Sequence, residues 1–95
     1  MSKFTPGPWV IDWNVSRLDI FGADETTLVA SLRRSTLSQA IDEAARSNAR
    51  LIAAAPDLLA TLAEAHDIID AIGQPETAEV AARMRAVIAK AKGEQ

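Results

Sequence analysis

Ninety-five residues with ten Lys and Arg against thirteen Asp and Glu, a net charge of −3, describe one domain over residues 1–95 with room for a single hydrophobic core. The lack of Cys excludes disulfides, thiolate metal sites and a thiol nucleophile. No apolar run reaches the length of a membrane span and none opens the chain as a signal peptide, so a cytoplasmic, non-membrane protein is expected. The acidic balance makes nucleic acid an unexpected partner.

The chain changes character near residue 36. Of its nineteen alanines, seventeen follow Gln39, while both Trp and both Phe precede it. In the first part, Pro6-Gly7-Pro8 forms a rigid extended lead-in that sets Trp9 at the start of a strand. Trp9, Ile11 and Trp13 then alternate with Val10 and Asp12, Leu18 and Ile20 with Arg17 and Asp19, and Leu28, Ala30 and Leu32 with Val29 and Ser31. A period of two marks half-buried strands. The links Asn14-Val15-Ser16 and Gly22-Ala23-Asp24-Glu25 are too short for crossovers, so residues 5–35 read as a three-stranded antiparallel meander.

Residues 37–92 read as helical. Thr36 and Gln39 have the T-x-x-Q spacing of a capping box, which starts a helix near Leu37. Steps of three and four then pick out Ile41, Ala44, Asn48, Leu51, Ala55, Leu58, Leu62, Ala65, Ile69 and Ile72. Pro56 lacks a donor N–H and clashes with the preceding turn, which predicts a break or strong kink near Ala55. Gly73 stops the helix and Pro75-Glu76 starts another, whose stripe is Val80, Met84, Val87 and Ala91. The two-residue link Gln74-Pro75 makes an αα-hairpin that can cover one face of the sheet. The expected architecture is α+β: the meander followed by two or three α-helices forming a helical hairpin. Because many of the alanines sit on or beside one seam, helices can approach closely, and the surface left over predicts a homo-oligomer.

The catalytic inventory is poor, with one His, no Cys and no Tyr, and it points to a protein without catalytic residues, metal or cofactor. His66, beside the apolar seam, is read as a boundary or interface residue; it shares a helix face with Asp70, but a lone His-x-x-x-Asp is common on helices and is weak evidence of a metal site. Four residues stand out as binding candidates. Trp9 offers either a core anchor or a platform for stacking a base. Asn48 interrupts the apolar seam and either sets the register of an oligomer or hydrogen-bonds a ligand. Arg46 and Arg50, one turn apart, present guanidinium forks suited to phosphate or carboxylate, with Asp42 one turn earlier as a partner that would quiet their repulsion.

Two segments carry a resemblance. Thr5-Pro6-Gly7-Pro8-Trp9 and the run Asn48 to Leu59, N-A-R-L-I-A-A-A-P-D-L-L, resemble a family of small phage and prophage proteins that share T-P-G-P-W and N-A-R-L-I-A-A-A-P-[DE]-L-L in this order. The resemblance implies expression in a bacterial cytoplasm. By analogy with accessory proteins of that size and source, it implies a part in blocking host defence. Two readings follow: a homo-oligomeric module that sequesters a phosphorylated nucleotide through Trp9, Asn48, Arg46 and Arg50, or an inhibitor that docks on a host protein.

Overall fold

The computed structural model describes residues 4–35 and 37–93. Its order is β1 (Val10–Trp13), β2 (Arg17–Phe21), β3 (Leu28–Arg33), α1 (Gln39–Ile72), a 3-10 turn (Pro75–Thr77) and α2 (Ala78–Lys92). The fold is α+β, with an antiparallel sheet in the order β1-β2-β3 followed by two helices. The chain divides into two compact units, and the division falls inside α1 rather than between sheet and helix. Thr5–Pro56 holds the sheet and the first half of α1, and the other unit holds the rest of α1 with α2.

In the first unit the period-two pattern places Ile11, Leu18, Ile20, Ala30 and Leu32 on one face of the sheet. Leu18, Ile20 and Ala49 are fully buried and Ala45 nearly so, with Trp9, Ile52 and Ala53 packed around them. Within this unit the first half of α1 therefore covers that face of the sheet. The contact face is not the expected seam: Ala45 and Ala49 point inward, while Ile41 is 60% and Leu51 64% exposed. Small side chains let the helix backbone sit close over Leu18 and Ile20, and the bulkier seam is turned aside.

The other face of the sheet mixes Asp12, Arg17, Asp19, Ser31 and Arg33 with Val10 and Phe21. Asp19, only 5% exposed, accepts hydrogen bonds from Ser31 Oγ at 2.6 Å and Arg17 Nε at 2.9 Å. The turn from β1 to β2 closes with Asn14 N–H donating to Arg17 O. The loop between β2 and β3 is held by Asp24, whose carboxylate accepts from the backbone N–H groups of Thr26 and Thr27 and from the Thr27 hydroxyl. In β3 the register slips after Ile20↔Ala30, since Phe21 pairs with Leu28 and leaves Val29 as the extra residue of a bulge.

Two sequence expectations about α1 need correction or restriction. Thr36 of the expected capping box lies outside the described residues. The Gln39 side chain reaches forward to Glu43, and it is the Ser38 hydroxyl that accepts the Ile41 N–H at the start of the helix. Pro56 does not break the helix, which is assigned without interruption over 34 residues. The missing N–H costs one hydrogen bond, but Ala53, Ala54 and Ala55 before it are strong helix formers. The proline ring is also packed: a Cβ on Gly7 would stand 2.7 Å from Pro56 Cβ, so only glycine at position 7 allows this approach. The two segments that suggested a family thus meet here.

In the second unit Gly73 and Gly93 adopt left-handed conformations, φ 68° and 73°, and end α1 and α2 respectively. Asp70 Oδ1 and Arg85 Nη2, on either side of the turn, lie 3.5 Å apart. The buried face of α2 is Ala81 with half-buried Met84, Ile88 and Ala89. Val80 and Val87 of the expected stripe are 38% and 55% exposed, so that stripe is correct only at Met84. As on α1, alanine takes the closest contact.

Candidate functional site

The four binding candidates do not form one cluster. Trp9 belongs to the core periphery, and its indole Nε1 donates to Thr5 O at 2.9 Å. That hydrogen bond satisfies the polar tip of the ring and fits the anchoring reading. Arg46 and Arg50 share a flank of α1. Asn48 is two residues from each, about 200° around the helix, and lies exposed on the opposite flank.

Arg50 meets a residue that the sequence reading passed over. The Arg50 guanidinium carbon sits 5.3 Å from the centre of the Trp13 ring, a cation–π contact. Trp13 is paired with Leu18 across the strands, so its side chain is on the helix-facing side. It ends an edge strand, however, and remains 48% exposed. The signal was present in the alternation: Trp9, Ile11 and Trp13 share a face, and the member beside the turn is the one the core cannot cover.

One turn before Arg50, Arg46 Nε lies 3.4 Å from Asp42 Oδ2, the pairing expected from their spacing. Asp42 is chiefly occupied by Arg34, which donates through Nε and Nη2 to its two oxygens at 2.9 Å each. Arg34 Nη1 also donates to Asn14 O, which ties the end of β3 to the β1–β2 turn and the first turn of α1. The bidentate Arg34 contact, ahead of the charge of Arg46, holds the Asp42 carboxyl below the ordinary carboxylate value. Arg34 is thus a structural clasp, whereas Arg46 is 45% exposed at its side chain and keeps its terminal nitrogens available. Trp13, Arg50 and Arg46 form an exposed strip with one aromatic face and two guanidinium groups, able to stack on a flat ring and to fork onto an oxyanion.

In the second unit His66 Nδ1 lies 3.3 Å from Asp67 Oδ1, and its buried Nε2 has no hydrogen-bond partner among the described residues. Among the described residues no three of His, Asp and Glu gather as a metal site, and no helix is long and apolar enough to cross a membrane.

No curated protein and no solved structure matches the chain. A family model does match it over residues 1–95, that of Salmonella phage P22 protein Y8K6. The resemblance carried by the T-P-G-P-W and N-A-R-L-I-A-A-A-P-D-L-L segments, joined in the fold through Gly7 and Pro56, is to this kind of protein, and the chain belongs to the Salmonella phage P22 Y8K6 family.

Proposed function

We propose that this phage protein is a non-catalytic, homo-oligomeric binding module of the host cytoplasm that sequesters a phosphorylated nucleotide-type ligand and so blunts a host defence signal. The observation that carries the ligand class is the Arg50 guanidinium over the half-exposed Trp13 ring, with Arg46 one turn away. A nucleotide has a flat base and an anionic phosphate, and the strip offers a stacking surface beside two cations. Of the four residues first considered, Arg46 and Arg50 stay in the ligand site, Trp13 replaces Trp9 as the platform, and Asn48 is assigned to association between copies.

Native mass spectrometry of the protein purified from bacteria tests both parts, because it reports the subunit count and any retained small molecule together. A thermal-shift panel of cyclic dinucleotides, cyclic trinucleotides and cyclic ADP-ribose isomers then identifies the ligand. The expected result is one class that raises the melting temperature of the parent and not of Arg50→Ala. A panel without any shift, beside a purified protein that retains nothing, would sink the ligand reading.

A second reading, inhibition of a host protein, draws support from the apolar residues exposed on α1. A helix of a host enzyme could lie along them. Stoichiometric co-purification of one host protein that displaces self-association would favour this reading over the first.

A further inference from the structure

The geometry points to a phosphate-binding site on the face of the sheet turned away from α1, between Arg17 of β2 and Arg33 of β3. It lies on the opposite side of the sheet from Trp13 and does not rest on the function proposed above.

Arg17 and Arg33 are direct cross-strand partners. The Arg34 N–H donates to Ser16 O, which makes Ser16 and Arg34 a hydrogen-bonded pair. The next pair along, Arg17 and Arg33, is therefore of the non-hydrogen-bonded kind, in which opposed side chains stand closest. Two like charges placed this way destabilise a sheet, and the chain answers only one of them. Arg17 Nε donates to Asp19 at 2.9 Å, whereas Arg33 has no carboxylate partner among the described residues. Both arginines line one open depression of about 390 Å³, together with Ser16 and Ser31 and with no carboxylate.

Asp19 is a positioning residue for this site. Its side chain is only 7% exposed, and its oxygens accept from Arg17 Nε and Ser31 Oγ. Arg17 is thereby held in place while its two Nη groups make no hydrogen bond among the described residues, so it loses less freedom on taking a ligand. The Ser31 proton is committed to Asp19. The Ser16 hydroxyl, with no partner among the described residues, is free to donate to an anion. Asp12, the other acidic residue of this face, pairs with Asp19 from β1 and so lies on the far side of β2 from Arg33.

The ligand class follows from the presence of two forks. One guanidinium fills both oxygens of a carboxylate, as Arg34 does with Asp42. A second fork needs further oxygens, and a terminal phosphate group presents three of them with close to two negative charges at neutral pH. Its charge answers Arg33 and removes the repulsion across the strands.

Amide NMR of the full-length chain, titrated with sodium phosphate and with sodium chloride at matched ionic strength, reads the site. Saturable shifts at Ser16, Arg17 and Arg33 are expected with phosphate, with half-saturation on the order of millimolar. Arg33→Gln should weaken binding by about tenfold or more, and Arg33→Lys, which keeps the charge but loses the fork, by less. Position 33 is exposed, and the remaining amides of each variant report whether the fold is intact. Tighter binding of ribose 5-phosphate than of inorganic phosphate identifies an ester as the source of the group, and the reverse identifies the free ion. Acetate that shifts the same amides at the same concentrations would overturn the choice of phosphate. Shifts that chloride reproduces, that persist in Arg33→Gln, or that centre on Trp13, Arg46 and Arg50 would overturn the site itself.

Discussion

At the scale of single residues the exposed strip and the three held carboxylates make different claims. The contact between Arg50 and Trp13 is half in solvent, so a double-mutant cycle with Trp13→Ala and Arg50→Ala, followed by urea unfolding, should give a coupling of about 0.5–1 kcal/mol. A coupling indistinguishable from zero would mean that the two side chains are neighbours without mutual stabilisation. The carboxyls of Asp19, Asp24 and Asp42 all lie below their ordinary value of 3.8. The causes are first the Ser31 hydroxyl and then Arg17 for Asp19, the Thr27 hydroxyl and backbone N–H groups for Asp24, and Arg34 for Asp42. The folded chain therefore binds protons on these groups less readily than the unfolded chain does. Their stabilisation is complete above the ordinary carboxylate range and is lost as pH falls through it towards the lowered folded values. Urea midpoints measured from neutral pH downward should fall steeply below about pH 4, and Asp42→Asn should flatten that fall while lowering the neutral-pH midpoint. A midpoint independent of pH in this range would contradict the hydrogen-bonding roles given to all three.

At the scale of elements, the best test is where the N-terminal segment crosses α1. Gly7→Ala forces a methyl to within 2.7 Å of Pro56 Cβ, and an overpacked contact of this kind costs about 1–3 kcal/mol, read as a lowered denaturation midpoint. An unchanged midpoint would mean that the segment is not held against the helix. The elements themselves were legible: alternation located three strands, turn chemistry made them antiparallel, and Gly73 with Pro75 separated the two helices. What was not legible was rotation about the helix axis. Hydrophobic periodicity weights a side chain by size, so it selected Ile41, Leu51, Val80 and Val87, whereas packing distance selects by smallness and turned Ala45, Ala49 and Ala81 inward. The break expected at Pro56 is absent for a related reason. Local sequence records its missing N–H but not the glycine 49 residues earlier that receives its ring. The binding strip was half legible: Arg46 and Arg50 were found from their spacing, while Trp13 required knowing which strand end the core leaves open.

At the scale of the whole molecule, the two kinds of apolar residue separate cleanly by test. Leu18 and Ile20 are fully buried, so Ile20→Ala should destabilise the chain by about 2–5 kcal/mol in urea unfolding, at any protein concentration. Ile41→Ala and Leu51→Ala remove exposed side chains and should shift the stability of a dilute, unassociated chain by no more than about 0.5 kcal/mol. At high concentration they should cost more, because mass action couples association to folding. Equal effects at both concentrations would remove the distinction between core and seam.

The chain has two tryptophans and no tyrosine, and the fold gives the two indoles unlike surroundings. Trp9 is tied to Thr5 and packed beside the core, whereas Trp13 is half in solvent under a guanidinium. Their emission is therefore a built-in pair of reporters. A water-soluble quencher should reach Trp13 first, and a ligand that stacks at the strip should shield it, while the Trp9 component changes only when the chain unfolds. Trp13→Phe would leave a protein whose fluorescence follows folding alone, and the difference between the two spectra would follow binding without any added dye.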